Sequence, residues 1–301
     1  MRVRLALDWA PNANHSGIYA AVKHGWYNEA GVDLDIQHHD FTESPATKLE
    51  LGKADVALCS LDCLLNYRSR AEPLPVKAIA AVLQDDLASI AVLESSGIER
   101  PAQLDGKTHA SYRACNKDAT IECLVRNDGG KGDLNFAYPD QVTIWNTLVK
   151  NKADSIWIFM NWQGVQAELA GVALRHFKMA DYGIPFGYSP IMIANEDLNT
   201  DQSAALKAFL AATAKGYAWA AAHPVEMTDI LLEWVSEDDK NKPFLQAAQA
   251  ATSPHYISTM TGSWGHMESE KVNAYLKWRV ELGLDSEPFA VDKLVTNDLL
   301  R

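Results

Sequence analysis

Strand-like and helix-like segments alternate through the first two-thirds of the chain, and that alternation restricts it to an α/β architecture. Val3, Leu5 and Leu7 alternate with polar residues, as do Val32, Leu34 and Ile36, and each run reads as a strand. An amphipathic stretch between them stops at Gly25. Residues 46–51 read as a helix ended by Gly52, 54–58 as a strand, and 61–70 as a helix broken by Pro73 and Pro75. Residues 76–83 and 88–93 are apolar enough for buried strands. A strand follows at 107–111, then a helix capped by Asn116 and ended by Gly129 and Gly130, then a helix opened by Pro139 and running to Asn151. Residues 153–160 read as a strand, 163–170 as a helix and 190–194 as a strand. This order implies parallel sheets covered by helices. From about Thr200 the pattern turns helical, at 203–222, 225–235, 244–251 and 267–282, which suggests a helical tail packed back on the first lobe.

The chain has 301 residues, 48% hydrophobic and 22% charged, enough for two lobes with their own cores. Its formal net charge of −12 repels phosphate backbones and anionic lipid, which argues against nucleic-acid and membrane-surface partners. No apolar run reaches the roughly 20 residues of a membrane span, so membrane insertion is not expected. Met1 and Arg2 lead straight into the first strand without the apolar region of a signal peptide. The expectation is a cytoplasmic protein if Met1 is the native start, and a periplasmic one if a signal peptide was trimmed. Cys59 and Cys63, and Cys115 and Cys123, lack the spacing of a zinc or redox site. A secreted protein would pair them, whereas a cytosolic one would bury them as thiols.

The densest polar-aromatic segment lies where the first strand gives way to the first helix: Leu7, Asp8, Trp9, Ala10, Pro11, Asn12, Ala13, Asn14, His15. In open α/β sheets ligands bind at that end of a strand. An indole offers a flat face and Asn both a donor and an acceptor. The competing reading is a buried Trp beside an Asn cap. His15 reads as a ligand contact, a general base or a satisfied buried histidine. An internal echo marks a second corner. Lys53, Ala54 and Asp55 precede one buried strand, and Lys152, Ala153 and Asp154 precede another. Each strand runs into a polar helix start, at Ser60 and at Asn161, Trp162 and Gln163. Helix N-termini there favour acceptor or anionic ligand groups. Tyr112 and Arg113 form a third possible wall, and residues 182–188 an aromatic loop. Asp85 and Asp86 either bind a cationic group or solvate a hinge. His38, His39 and Asp40 suggest metal, but adjacent strand residues point to opposite faces, so no metal is expected. The chain has no G-x-S-x-G, no H-E-x-x-H and no P-loop.

These residues carry a resemblance. Leu7-Asp8-Trp9, Pro11-Asn12, His15, Gly17 and Tyr19, then Gly25-Trp26-Tyr27 and Ala30-Gly31-Val32, resemble the opening of the thiamine-pyrimidine family. That family joins periplasmic formylaminopyrimidine-binding proteins and hydroxymethylpyrimidine phosphate synthases. The likeness continues through Leu104-Asp105-Gly106-Lys107, Met160-Asn161-Trp162, Gly164-Val165 and Gly187-Tyr188-Ser189-Pro190, and covers most of residues 3–198. It is strongest to a leaderless branch.

The resemblance implies a two-lobed periplasmic-binding-protein fold of the second type, each lobe a mostly parallel sheet flanked by helices. The implied division is 1–90 with 190–301 and, separately, 91–189. It also implies a small aromatic ligand clamped between lobes and lined by Trp9, Asn12, His15, Tyr19, Trp162 and Tyr188. Ser60, Tyr112, Asn161 and Gln163 complete the candidate set. An ABC importer is the implied partner of an exported form. The synthase branch is set apart by a cysteine-rich motif, a lysine that holds pyridoxal phosphate and a histidine consumed as substrate. Here the motif's place reads Ile184-Pro185-Phe186-Gly187-Tyr188, and the lysine and histidine align with Cys59 and Cys63. No cofactor and no catalytic residue are therefore expected. Gln163 replaces a Glu of many relatives, which removes a charged partner for a cationic ligand. The leading reading is a binder of a planar heterocycle. An enzyme of pyrimidine-precursor biosynthesis and a binder of a flavin or sulfonate are the alternatives.

Overall fold

The computed structural model describes residues 1–39, 42–139 and 144–301, so Asp40 and part of the helix expected from Pro139 lie outside the described residues. The chain divides into two compact units. The first holds Met1–Asp86, Gly187–Asn273 and Phe289–Arg301, and the second holds Leu87–Phe186 and Ala274–Pro288.

In the first unit the strands are β1 (Arg2–Ala6), β2 (Asp33–Gln37), β3 (Val56–Cys59), β4 (Val76–Ala81) and β10 (Ile191–Asn195), in the order β2-β1-β3-β10-β4. β1 runs parallel to β2, with Leu5 opposite Ile36, and parallel to β3, with Leu5 opposite Val56. β3 lies at the centre and all four of its residues are buried. The second unit repeats the plan with β5 (Ala88–Leu93), β6 (Thr108–Ala110), β7 (Asn135–Ala137), β8 (Ser155–Phe159) and β9 (Leu174–Lys178), in the order β7-β6-β8-β5-β9. Its core is Ala91, Ala110, Ile144, Leu148, Ile156 and Ile158, with Tyr112, Trp145 and Met160 packed against it.

The sheets are not wholly parallel, which corrects the reading from element order. β10 is antiparallel to both β3 and β4, and β5 is antiparallel to both β8 and β9. The topology supplies the reason. Helix α4 (Leu61–Arg68) carries the chain from β3 to β4 and leaves one strand position between them, which β10 fills. Helix α7 (Val165–Leu169) does the same between β8 and β9, and β5 fills that gap. Helical crossovers deliver parallel strands, whereas β5 and β10 enter their sheets without one.

The other helices are α1 (Ser16–Lys23), α2 (Trp26–Glu29), α3 (Pro45–Glu50), α5 (Lys117–Asn127), α6 (Ile144–Val149), α8 (Thr200–Ala222), α9 (Pro224–Leu231), α10 (Lys242–Thr252), α11 (Ser269–Glu281) and α12 (Val291–Leu294). Their starts follow local chemistry. Ser44 caps α3 ahead of Pro45, and Asn199 and Gln202 form a capping box on α8. The second half of α11 and the loop after it group with the second unit. There Arg279 grips Asp285 at 2.6 Å through a bidentate pair that is almost fully buried. No helix among the described residues is long and apolar enough to cross a membrane.

One packing detail positions the site. Helices α1 and α8 meet through glycines: a Cβ on Gly216 would lie 1.9 Å from the Gly17 carbonyl oxygen, and one on Gly17 would lie 2.1 Å from the Tyr217 ring. Only two residues without side chains let the backbones approach this closely.

Candidate functional site

In the first unit the candidate turn leaves the carboxyl end of β1. The ladder to β2 runs one step further, Leu7 N–H donating to Gln37 C=O at 3.0 Å, before the chain bends through Asp8–Pro11. Asn12 then caps a short 3-10 turn, Ala13–His15, that feeds α1. Its side chain is spent locally: Oδ1 accepts from Asn14 N–H at 2.8 Å and Nδ2 donates to Ala10 C=O at 2.9 Å. His15 closes the motif. Its Nδ1 accepts from Asn12 N–H at 3.3 Å, so the proton must sit on Nε2, which donates to Asp8 Oδ1 at 3.0 Å. His15 is fully buried and both ring nitrogens are engaged. Of its three readings the structure favours the satisfied buried histidine, which fixes the turn and leaves no bare nitrogen for a general base.

Around this turn the rings gather. Trp9 is half-buried and lies nearly parallel to His39, centroids 6.1 Å apart. Tyr19, one turn along α1, is buried and stacks on Trp234 at 4.6 Å. Its hydroxyl has no hydrogen-bond partner among the described residues, and burial raises its pKa. His38 lies nearly parallel to Trp234 at 6.3 Å, and burial, with His15 nearby, lowers its affinity for a proton. The sequence brought up His38 and His39 only as metal ligands, since discounted, and did not bring up Trp234. β2 ends at Gln37, so the strand alternation used to discount the two histidines does not reach them. The signal was available: β1 and β2 end side by side. No metal-binding cluster occurs among the described residues.

Ser60 caps α4, its Oγ accepting from Cys63 N–H at 3.2 Å, and Leu61 N–H donates to Tyr188 C=O at 3.1 Å. Tyr188 is buried with a positive φ of 42°, and its hydroxyl accepts from Glu268 N–H at 3.0 Å. Tyr188 therefore lies in the core of the first unit, joining Ser60's helix to the chain at Glu268. Cys59, at the end of β3, is a buried free thiol. Burial first, and then the nearby Asp8 carboxylate, raises its pKa and keeps it protonated. Where a pyridoxal aldehyde needs an amine, this position offers an inert thiol, so the residues present do not fit that cofactor there. Cys123 is also buried and free, so neither sequence-adjacent cysteine pair is bridged.

In the second unit, β8 runs into a π-type turn, Met160–Gly164, before α7. Such turns occur often at functional positions. Asn161 is buried at its start, while Trp162 and Gln163 are half-buried. Gln163 Oε1 accepts from Phe159 N–H at 3.0 Å, so this side chain folds back on the end of its own strand. Tyr112 packs against the sheet core and burial raises its pKa. The loop beyond it holds two left-handed residues, Arg113 and Asn116, and the Arg113 guanidinium lies 4.2 Å over the Tyr138 ring. Lys117 lies 4.1 Å over the Trp157 ring. A separate cavity in the first unit, at the amino ends of β1 and β3, is lined by Arg4, Asp55, Leu206 and their neighbours. Its charges are paired, Arg4 Nη2 meeting Asp55 Oδ1 at 2.7 Å and Arg2 Nη2 meeting Asp35 Oδ2 at 2.9 Å.

The chain is 25% identical over 305 residues to the formylaminopyrimidine-binding protein of Halalkalibacterium halodurans, covering 98% of this chain and 88% of that one. It is 24% identical over 302 residues to the 4-amino-5-hydroxymethyl-2-methylpyrimidine phosphate synthase of Legionella pneumophila, covering 99% and 92%. Among solved structures, the ligand-binding component of an ABC-type import system from Staphylococcus aureus superimposes with a TM-score of 0.74 at 14% identity, covering 99% of this chain and 97% of that one. That likeness shows the fold, a two-lobed α/β architecture of the periplasmic-binding-protein kind. The family described as NMT1/THI5 like matches residues 12–227, well over half of the sequence, and the chain belongs to that family.

Proposed function

We propose that this protein is a non-catalytic binder of a small planar heterocycle, most closely a pyrimidine precursor of thiamine or a relative of it. One observation carries the reading. At the carboxyl end of β1 the half-buried Trp9 indole sits on a turn whose Asn12 and His15 groups are tied up internally. A turn fixed in this way loses little freedom when a ring stacks on it, and rigid aromatic platforms gain affinity by that route. Asp8 supplies polarity: Oδ1 is taken by His15, and the carboxylate is 28% exposed, which leaves its second oxygen to accept from a ring amino group. The names of the relatives support a pyrimidine over a flavin or a sulfonate. Asn161 and Trp162 are the candidates within the second unit. For an exported form the partner is an ABC importer.

Calorimetric titration with a panel of aminopyrimidines, flavins and alkanesulfonates tests the proposal. Saturable heat at one site per chain, confined to the pyrimidines, is expected. Saturable heat with only a flavin or a sulfonate, or with no member of the panel, overturns it.

A further inference from the structure

The turn that presents Trp9 and Asn12 is held from behind by residues far along the chain. The Tyr256 hydroxyl donates to Ala13 C=O at 2.6 Å, and the Tyr217 hydroxyl donates to Asn14 C=O at 2.6 Å. Ser16 Oγ donates to Gln249 Oε1 at 2.6 Å. Gln249 Nε2 then donates to Ser253 Oγ at 2.8 Å and to the Tyr256 hydroxyl at 3.1 Å. Ser16, Tyr217, Gln249 and Tyr256 are all fully buried. The two tyrosine rings meet edge to face at 5.1 Å, and Tyr217 stacks on Trp264 at 4.7 Å, so neither hydroxyl can swing away without disturbing the core. Gln249 and Tyr256 lie beyond residues 12–227, the span that matches the family.

We infer that Tyr217, Tyr256 and Gln249 are positioning residues for ligand recognition, setting the Asn12–His15 turn from the helical C-terminal part of the first unit. The inference rests on the reading of that turn as the ligand-binding element. The physical route is short. Two points of the turn, Ala13 C=O and Asn14 C=O, and Ser16 Oγ at the start of α1 are pinned to one buried network. Next to them, the Asn12 N–H to His15 Nδ1 hydrogen bond is already 3.3 Å long. A backbone shift of a few tenths of an ångström takes it beyond useful hydrogen-bond range. The imidazole then loses the bond that holds its Nδ1 edge, and with it the geometry that orients Asp8.

The test follows the His15 ring by nitrogen NMR in the ligand-free protein, alongside calorimetry with a formylaminopyrimidine as probe. In the unaltered protein Nδ1 is expected to carry no proton and accept from Asn12 N–H, and Nε2 to be protonated. Tyr256→Phe is expected to move the Nδ1 resonance through loss of its hydrogen bond, with Nε2 still protonated against Asp8, and to weaken probe binding about tenfold. Tyr217→Phe is expected to act in the same direction, and it serves if the first variant does not fold. Tyr27→Phe is the control. It removes another buried hydroxyl of the same unit, hydrogen-bonded at 2.8 Å to Thr213, and should lower the melting temperature without moving the His15 signal or the affinity. Wild-type His15 signals in both test variants, or an equal shift in Tyr27→Phe, overturn the inference. If the unaltered protein fails to bind the probe, the binding proposal falls while the NMR result still judges the positioning network.

Discussion

Replacing Gly216 by alanine should destabilise the first unit, although helix propensity alone predicts the reverse. In the interior of a helix such as α8, Gly→Ala is worth about 1 kcal/mol in favour of alanine. Against that, the new Cβ would lie 1.9 Å from Gly17 O, 2.9 Å from Gly17 C and 3.0 Å from Ala21 Cβ. A carbon and a carbonyl oxygen need roughly 3.2 Å, so α1 and α8 must part by about 1.3 Å, and overpacking on that scale costs about 1–3 kcal/mol or more. The obstacle is backbone, which cannot rotate aside as a side chain can. With a backbone obstacle this close the cost lies at the upper end of that range, so the net expectation is a loss of about 2 kcal/mol, or roughly 4–8 °C in melting temperature at 2–4 °C per kcal/mol. Circular dichroism melts of the wild type and Gly216→Ala read this directly. Ala218→Gly, at an exposed position of the same helix, calibrates the propensity term and should cost about 1 kcal/mol. A Gly216→Ala protein that melts at or above the wild-type temperature would show that the glycine contact does not fix α1, and would remove the geometric basis for a rigid turn.

Three further outcomes follow. His109 in β6 is buried against Ser155 Oγ at 2.9 Å, and burial lowers its pKa from 6.5 to about 3. The unfolded chain then binds a proton that the folded chain refuses, so stability falls as pH drops below 6.5, by up to about 1.4 kcal/mol per unit, and levels off near pH 3. Urea midpoints at pH 7, 6 and 5 should show that slope, and His109→Asn, which can keep the Ser155 contact, should flatten it. Arg279→Ala leaves Asp285 buried without its partner and should cost about 3–5 kcal/mol, whereas Arg279→Met with Asp285→Leu together should cost far less. The Cys59 thiol, buried and held protonated, should react with iodoacetamide only at the rate of unfolding, and rapid labelling of the folded protein would contradict its placement.

The α/β alternation could be read because each central strand carries an apolar run of its own and each helix an amphipathic one. β7 and β9 could not. Both are edge strands with a single neighbour, and Leu174-Arg175-His176-Phe177-Lys178 is mostly polar for that reason. The antiparallel setting of β5 and β10 was equally hidden, because strand direction depends on which crossover leaves a gap and not on any residue in the strand. At the candidate site, the Asp8–His15 turn stood out because its ring and amide residues are consecutive. Trp234 reaches the same place only through tertiary packing, and His38 and His39 through the parallel pairing of β2 with β1. Nothing local to Tyr217, Gln249 or Tyr256 distinguishes a buried anchor from an ordinary polar residue of a helix or its end. Gln163, read as a group facing ligand, bonds through Oε1 to the end of its own strand, a contact made by the π-type turn that no spacing announced.

The most direct measurement is the affinity of the wild type and of Trp9→Ala for a formylaminopyrimidine by isothermal titration calorimetry, with folding checked by circular dichroism. The account predicts one saturable site per chain in the wild type. Loss of the stacking face should weaken it at least tenfold, about 1.4 kcal/mol, at an unchanged melting temperature. Full affinity in a folded Trp9→Ala protein, or no saturable heat in the wild type, would contradict it.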